Sequence, residues 1–164
     1  MTLTEFTSPI GTIRIGIHEG RLCALEFTDR WARVRPSVER RFGQANGQTG
    51  EDTAPIVRRL SAYFAGDLAA LADIEVETGG TPFQRRVWAA LRRIPAGRTA
   101  SYRELARTIG APAAMRAVGA ANGANPVGIV VPCHRVIAAD GTLGGYGGGL
   151  ERKHWLLRHE GAIA

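Results

Sequence analysis

The hydrophobic and polar positions along this chain divide it into segments of different period. Ile13-Arg14-Ile15-Gly16-Ile17 alternates, as a half-buried strand does. Glu19-Gly20 is a turn signal, and Arg21 to Phe27 can return as a second strand, which makes a hairpin. Arg30 to Gly50 is polar and weakly patterned, and no element is assigned there. Between Ala54 and Phe64, the residues Ile56, Val57, Leu60 and Phe64 share one helical face, and Gly66-Asp67 closes the helix. Ile74 to Glu77 reads as a further strand, and Thr78-Gly79-Gly80 as a linker.

Beyond the linker the period becomes helical. Thr81 can cap, Pro82 suits the first helical position, and Gln84 completes a capping box. Phe83, Val87, Trp88 and Leu91 form the stripe behind it. Ser101, with Glu104 three residues on, predicts a short helix from Tyr102 to Ile109. Gly110-Ala111-Pro112 makes a turn, and a second helix runs from about Ala113 to Gly123, before Asn125-Pro126. Helix, glycine turn, helix is the pattern of a helix-turn-helix. Gly128 to Val131 reads as a short buried strand. A glycine-rich loop around Tyr146 precedes a last helix, Leu150 to Glu160, which turns Trp155, Leu156 and Leu150 inward and stops at Gly161. The fold class is thus an α/β N-terminal domain (1–77) with a small antiparallel sheet, a linker (78–80), and a mostly α C-terminal domain (81–164) with a winged-helix-like helix-turn-helix.

Composition changes the picture in two ways. Hydrophobic residues make up 45% of the 164, no apolar run reaches the ~20 residues of a membrane span, and the N-terminus lacks a signal-peptide pattern. We therefore expect a cytoplasmic protein with no membrane partner. The net charge of +6 is also uneven. Residues 1–80 carry 9 basic and 11 acidic side chains; residues 81–164 carry 12 and 4. A positive field confined to one half points to a polyanion. With the helix pair, it points to DNA.

Cys23 and Cys133 are the only cysteines, too few for a disulfide framework and without metal-ligand spacing. Cys23 sits in an apolar stretch and reads as a small buried hydrophobe. Cys133, in Pro132-Cys133-His134-Arg135, is the candidate nucleophile. A thiol needs a base or a cationic field to become a thiolate at neutral pH. His134 is the candidate base, but adjacent side chains diverge in regular structure. The pair can cooperate only where the backbone turns or a water bridges them. A carboxylate usually orients such an imidazole. The second half offers Glu104, Asp140, Glu151 and Glu160, and spacing alone does not choose among them. The glycine-rich loop lacks the phosphate-cradle signatures. It reads instead as a wall that admits a flat ligand beside Tyr146.

Ile129-Val130-Val131-Pro132-Cys133-His134-Arg135-Val136-Ile137 resembles the signature of the O6-alkylguanine-DNA alkyltransferases. Phe83 with Val87-Trp88, Ser101-Tyr102, Arg116-Ala117-Val118-Gly119, Asn125-Pro126, Gly144 with Tyr146-Gly147-Gly148, and His159-Glu160-Gly161 follow in that family's order. The resemblance is strong from Thr81 to Gly161; before that it rests on Ser8-Pro9-Ile10-Gly11. It implies suicidal DNA repair: the alkyl group of O6-alkylguanine, and of O4-alkylthymine, moves to Cys133. It implies His134 as base through a water, Glu160 as its orienting partner, and Asn125 as the hinge between recognition helix and active-site turn. It implies Tyr102 as the residue that crowds the phosphate and protonates the leaving guanine. Tyr146, Val136 and Gly148 would line the guanine pocket, while Arg116, Ala117, Tyr102 and Arg135 would meet DNA. The partner would be double-stranded DNA bound by a monomer, with cooperativity left open. No cofactor and no metal are expected, since Cys23 and His18 lack companions. Gly147 and Gly148 suggest a loose pocket wall, open to bulkier alkyl groups, and Gly128 stands where some relatives have proline. The rival readings are a Cys-His hydrolase, a non-catalytic lesion-binding module and a helix-turn-helix regulator.

Overall fold

The computed structural model describes residues 1–44 and 52–164. The end of the polar stretch assigned to Gly50 lies outside the described residues. Three antiparallel strands, β1 (Thr2–Ser8), β2 (Gly11–His18) and β3 (Arg21–Phe27), form a meander in that order. The β2–β3 hairpin closes at Glu19-Gly20, where both residues have positive φ (50° and 76°). Such a turn matches the twist of the strands it joins. Strand β1 is an addition to the sequence reading, because Thr2 to Ser8 has no continuous apolar alternation.

Ile13, Ile15, Leu25 and Phe27 face the main core, and Ala24 faces the other way. That second face is covered by helix α1 (Trp31–Phe42), in the stretch left unassigned above. Pro36 inside the helix and a high proportion of charged residues obscure its pattern. The underlying signal is Trp31, Val34 and Val38, one turn apart and buried against Ala24. Helix α2 (Ala54–Phe64) lies as the apolar stripe predicted.

The outer edge of β3 is covered rather than left open. Leu22 exchanges backbone hydrogen bonds with Glu75 and Glu77, and Leu25 with Pro126 and Gly128. Each contact is a single parallel bridge. The strand expected at Ile74–Glu77 is thus one bridge, Leu22 with Val76. More consequential is the second bridge, which fastens the segment leading to Cys133 onto the N-terminal sheet.

The second half packs α3 (Pro82–Leu91), α4 (Tyr102–Thr108) and α5 (Met115–Gly123) against one another. Both predicted capping boxes are present: Thr81 with Gln84, and Ser101 with Glu104. A two-residue parallel pair, β4 (Ala100–Ser101) with β5 (Val136–Ile137), ties the start of α4 to the segment after Cys133. Helix α6 (Leu150–His159) closes the chain, burying Leu156 and Leu157. Leu150 does not turn inward as expected; it is 55% exposed. It occupies the first helical position, before the buried stripe begins. Among the described residues, no helix is long and apolar enough to cross a membrane.

Candidate active site

Gly128 to Val131 is not the expected strand. Its backbone coils tightly, with Val130 N–H donating to Gly128 and Val131 N–H to Val127. Ile129 takes a φ of 68°, a left-handed conformation that is strained for a β-branched residue. A buried turn and a buried strand present the same short apolar run, so period cannot separate them. Asn125 holds the turn in place of a strand ladder. Its Nδ2 donates to Val131 O at 2.8 Å, and its Oδ1 accepts from Val127 N–H at 3.0 Å.

The coil delivers Cys133 as the first residue of a single 3-10 turn, Cys133–Arg135. The irregular backbone required for cooperation between Cys133 and His134 is therefore present. Cys133 is 7% exposed. Burial pushes its thiol pKa up, while the Asn125 amide and the Arg33 and Lys153 cations pull it down. Burial prevails, so the thiol needs a base.

His134 is fully buried, and its Nε2 meets both oxygens of Glu160, at 3.1 and 3.0 Å. Among the described residues, its Nδ1 is buried without a hydrogen-bond partner. A carboxylate at Nε2 requires the proton there, which leaves Nδ1 with an open lone pair. Burial pushes the imidazolium below its ordinary pKa and keeps the ring neutral; Glu160 opposes this in part. A neutral ring with one free nitrogen is equipped to accept a proton.

Of the four carboxylates, the structure brings Glu160 to the imidazole. Arg135 grips it through Nε at 2.9 Å and Nη2 at 2.8 Å, and donates from Nη1 to Ile94 O. The Tyr63 hydroxyl adds a further bond at 2.7 Å. Burial alone would raise the Glu160 carboxyl, but the bonds from Arg135 and His134 hold it well below the usual carboxylate range. Arg135 is the clearest correction to the sequence reading. Expected at DNA, its side chain is 11% exposed and committed to Glu160, because a buried carboxylate needs a counter-ion.

The remaining residues gather as follows. Tyr102 opens α4, half-buried; burial and the neighbouring Cys133 raise its phenol pKa. The β4–β5 pair sets this closeness. Tyr146 lies edge-on to His134 with ring centroids 6.4 Å apart, and Val136 is buried. The room suggested by Gly147 and Gly148 is already filled. A Cβ on Gly147 would lie 2.5 Å from the Arg33 guanidinium carbon; one on Gly148 would lie 2.6 Å from the Tyr146 ring and 3.0 Å from Phe27. These glycines permit close packing rather than a looser wall. Arg116 and Ala117 are exposed in the first turn of α5, while Asn125 lies just past its end. The helix thus spans about 13 Å from an exposed cation to the acceptor turn.

Sequence reasoning missed Lys153 and Tyr63. Lys153, the single lysine of the chain, is fully buried. Its ammonium donates to Val136 O at 2.6 Å, Gly145 O at 3.1 Å and Leu143 O, tying the glycine-rich loop to the acceptor segment. Burial lowers its pKa to about 8. A lone lysine among twenty arginines was the available signal. Arg33 is also on this wall, paired with the buried Glu26 at 2.7 Å and bonded to Asn125 O. Cys23 is buried in β3, as expected.

Known proteins share this arrangement of chain. The profile of the 6-O-methylguanine DNA methyltransferase DNA-binding domain matches residues 82–162. A methylated-DNA–protein-cysteine methyltransferase of Mycolicibacterium paratuberculosis is 62% identical over 153 residues, covering 93% of this chain and 88% of its own. The protein of that name from Salmonella typhimurium is 48% identical over 162 residues, covering 97% and 95%. Among solved structures, Mycobacterium tuberculosis OGT in complex with DNA superposes with a TM-score of 0.84 at 43% identity, covering 99% of this chain and 94% of that one. An O6-methylguanine-DNA methyltransferase from Pyrococcus kodakaraensis gives 0.74 at 27%, covering 98% of each.

Proposed function

The chain belongs to the methylated-DNA–protein-cysteine methyltransferase family, and from that premise we propose that it repairs O6-alkylguanine in DNA by moving the alkyl group, once, onto Cys133. O4-alkylthymine is the second substrate. The observation that carries the choice of residues is the pairing at His134, the residue after Cys133: Nε2 on Glu160, and Nδ1 buried with no hydrogen-bond partner among the described residues.

The step is a displacement at the alkyl carbon. The Cys133 proton passes through a bridging water to His134 Nδ1, and Glu160 stabilises the imidazolium. The thiolate sulfur forms a bond to the alkyl carbon as the carbon–O6 bond breaks. The electron pair stays with guanine, which takes a proton from Tyr102. The thioether cannot be hydrolysed, so each molecule acts once. A Cys-His hydrolase with this geometry would turn over instead. Mixing the protein with a duplex containing O6-methylguanine should add about 14 Da to the Cys133 peptide, a methyl in place of the thiol hydrogen, and stop at one equivalent. An unmodified peptide, or continued turnover, rejects the proposal.

A base inside a duplex is out of reach of a buried thiol, so the nucleotide must flip out at a cost of a few kcal/mol. In our reading, α4 and α5 act as a helix-turn-helix, with α5 at the minor groove, Arg116 filling the stack that the base leaves, and Ala117 beside it. Tyr102 crowds the phosphate. Tyr146, Val136 and Gly148 line the pocket, and Asn125 couples α5 to the acceptor turn. The exposure of Arg116 and Ala117 supports this reading. Arg116→Ala should slow transfer from duplex DNA by about tenfold or more. It should leave transfer from free O6-benzylguanine unchanged. Equal slowing on both substrates would remove Arg116 from flipping.

The boundaries 1–77 and 81–164 are functional as well as compositional in this reading, and the protein works as a monomer in the cytoplasm on chromosomal DNA. The charge imbalance between the halves supports that division.

A further inference from the structure

Glu160 receives a bond from the other half of the molecule. Tyr63, in the last turn of α2, is 97 residues away in sequence and fully buried, and its hydroxyl donates to Glu160 Oε2 at 2.7 Å. The same oxygen accepts from His134 at 3.0 Å and from Arg135 at 2.8 Å. An ionised carboxylate offers about four acceptor sites. Arg135 donates twice and Tyr63 once, and the single His134 N–H is shared between both oxygens, so the carboxylate is fully bonded.

Tyr63 is itself immobilised. The His159 ring packs edge-on to it, with centroids 5.2 Å apart, and His159 Nε2 meets Tyr63 O at 2.8 Å. Phe64 packs edge-on from the next position at 5.1 Å. A hydroxyl held in that way costs free energy to bury unless it is bonded. Phenylalanine would fill the same space without that cost. Burial, with Glu160 beside it, raises the phenol pKa far above its ordinary value. Tyr63 therefore stays a proton donor across the whole working range.

We propose that Tyr63 is a positioning residue of the acceptor site, through which the N-terminal half sets the orientation and charge of Glu160 and thereby the basicity of His134. The inference rests on the alkyl-transfer reading above. The hydroxyl draws negative charge from Glu160. A carboxylate with less charge stabilises the His134 imidazolium less, so the ring stays neutral to lower pH. The other groups that face this pair are Arg135 on the acceptor turn, Lys153 and His159 on α6, Tyr146 on the glycine-rich loop, and Cys133 itself. All of these groups remain in place in a Tyr63→Phe variant.

Tyr63→Phe tests this, by single-turnover methyl transfer measured across about pH 5.5 to 9. The acidic limb should move up by about half to one pH unit. On the acidic limb itself, below the wild-type midpoint, the rate should fall about 3- to 10-fold; near pH 8.5 it should stay within about twofold of wild type. DNA affinity should be unchanged. Phe64→Leu controls for packing: it disturbs the same aromatic cluster and should leave the limb in place. Site-specific 3,5-difluorotyrosine at position 63 covers the case in which Tyr63→Phe does not fold. Its stronger donor should move the limb down. An unmoved limb in a folded Tyr63 variant overturns the inference, and so does an equal movement in Phe64→Leu. A wild-type protein that forms no adduct would overturn the alkyl-transfer reading instead, a separate and visible result.

Discussion

Cys133→Ser is expected to end alkyl transfer while leaving the fold and the binding of DNA intact. The substitution replaces one atom in a site that is 7% exposed, so packing around it barely changes. The chemistry changes completely. A serine hydroxyl is far less acidic and less nucleophilic than a thiol, and burial already raises the pKa of the group at this position. His134 is a buried neutral imidazole with its pKa lowered. It can relieve a thiol of its proton, but not a hydroxyl without a much higher barrier. Mass spectrometry should find no alkylated peptide, while a gel-shift assay should still show a complex with duplex DNA. Adduct formation in the variant would mean a different acceptor. The remaining cysteine, Cys23, is fully buried in β3, so the adduct would also imply a rearranged fold.

Glu160→Gln should cost both stability and rate. The carboxylate neutralises Arg135 through two bonds and orients His134 through Nε2. A neutral amide of equal size leaves the Arg135 cation almost buried without its counter-ion. Breaking such a pair from one side costs about 3–5 kcal/mol, measurable as a lower urea midpoint. The amide also presents N–H groups to the Arg135 and His134 donors, so the ring loses its fixed tautomer. Loss of an orienting carboxylate in an analogous triad lowers rate by about 10⁴, and a fall of about 10²–10⁴ is expected here. The pH dependence has a definite sign. The folded pKa of Glu160 lies below its unfolded value. Its stabilising contribution is therefore complete above the unfolded carboxylate range, about pH 4.3, and is lost as pH falls toward the folded pKa. Acid unfolding below about pH 4 should be steeper in the wild type than in Glu160→Gln. An unchanged urea midpoint would show that Arg135 does not depend on this carboxylate.

Much of this site was legible from local order alone. Cys133 and His134 are neighbours in the chain, and the capping pairs Thr81–Gln84 and Ser101–Glu104 are three residues apart, so their signals survive in the sequence. Helix α1 was obscured because Pro36 and its charged neighbours masked three buried residues. The Gly128–Val131 coil was read as a strand because burial without period is compatible with either. The resemblance puts Arg135 at DNA, and a place in the sequence gives a side chain no direction. Only the fold shows that it points at Glu160.

The sequence by itself marked Cys133 as the candidate nucleophile, set a histidine beside it, and put the positive charge in the second half. Those are statements of residue type, adjacency and sum, and they need no coordinates. Tertiary structure decided which carboxylate serves His134, which imidazole nitrogen is free, and that Tyr63 and Lys153 belong to the site. Each joins residues from 8 to 97 positions apart. A carboxylate is drawn to whichever cations and donors the packing places within about 3 Å, and distance along the chain does not set that.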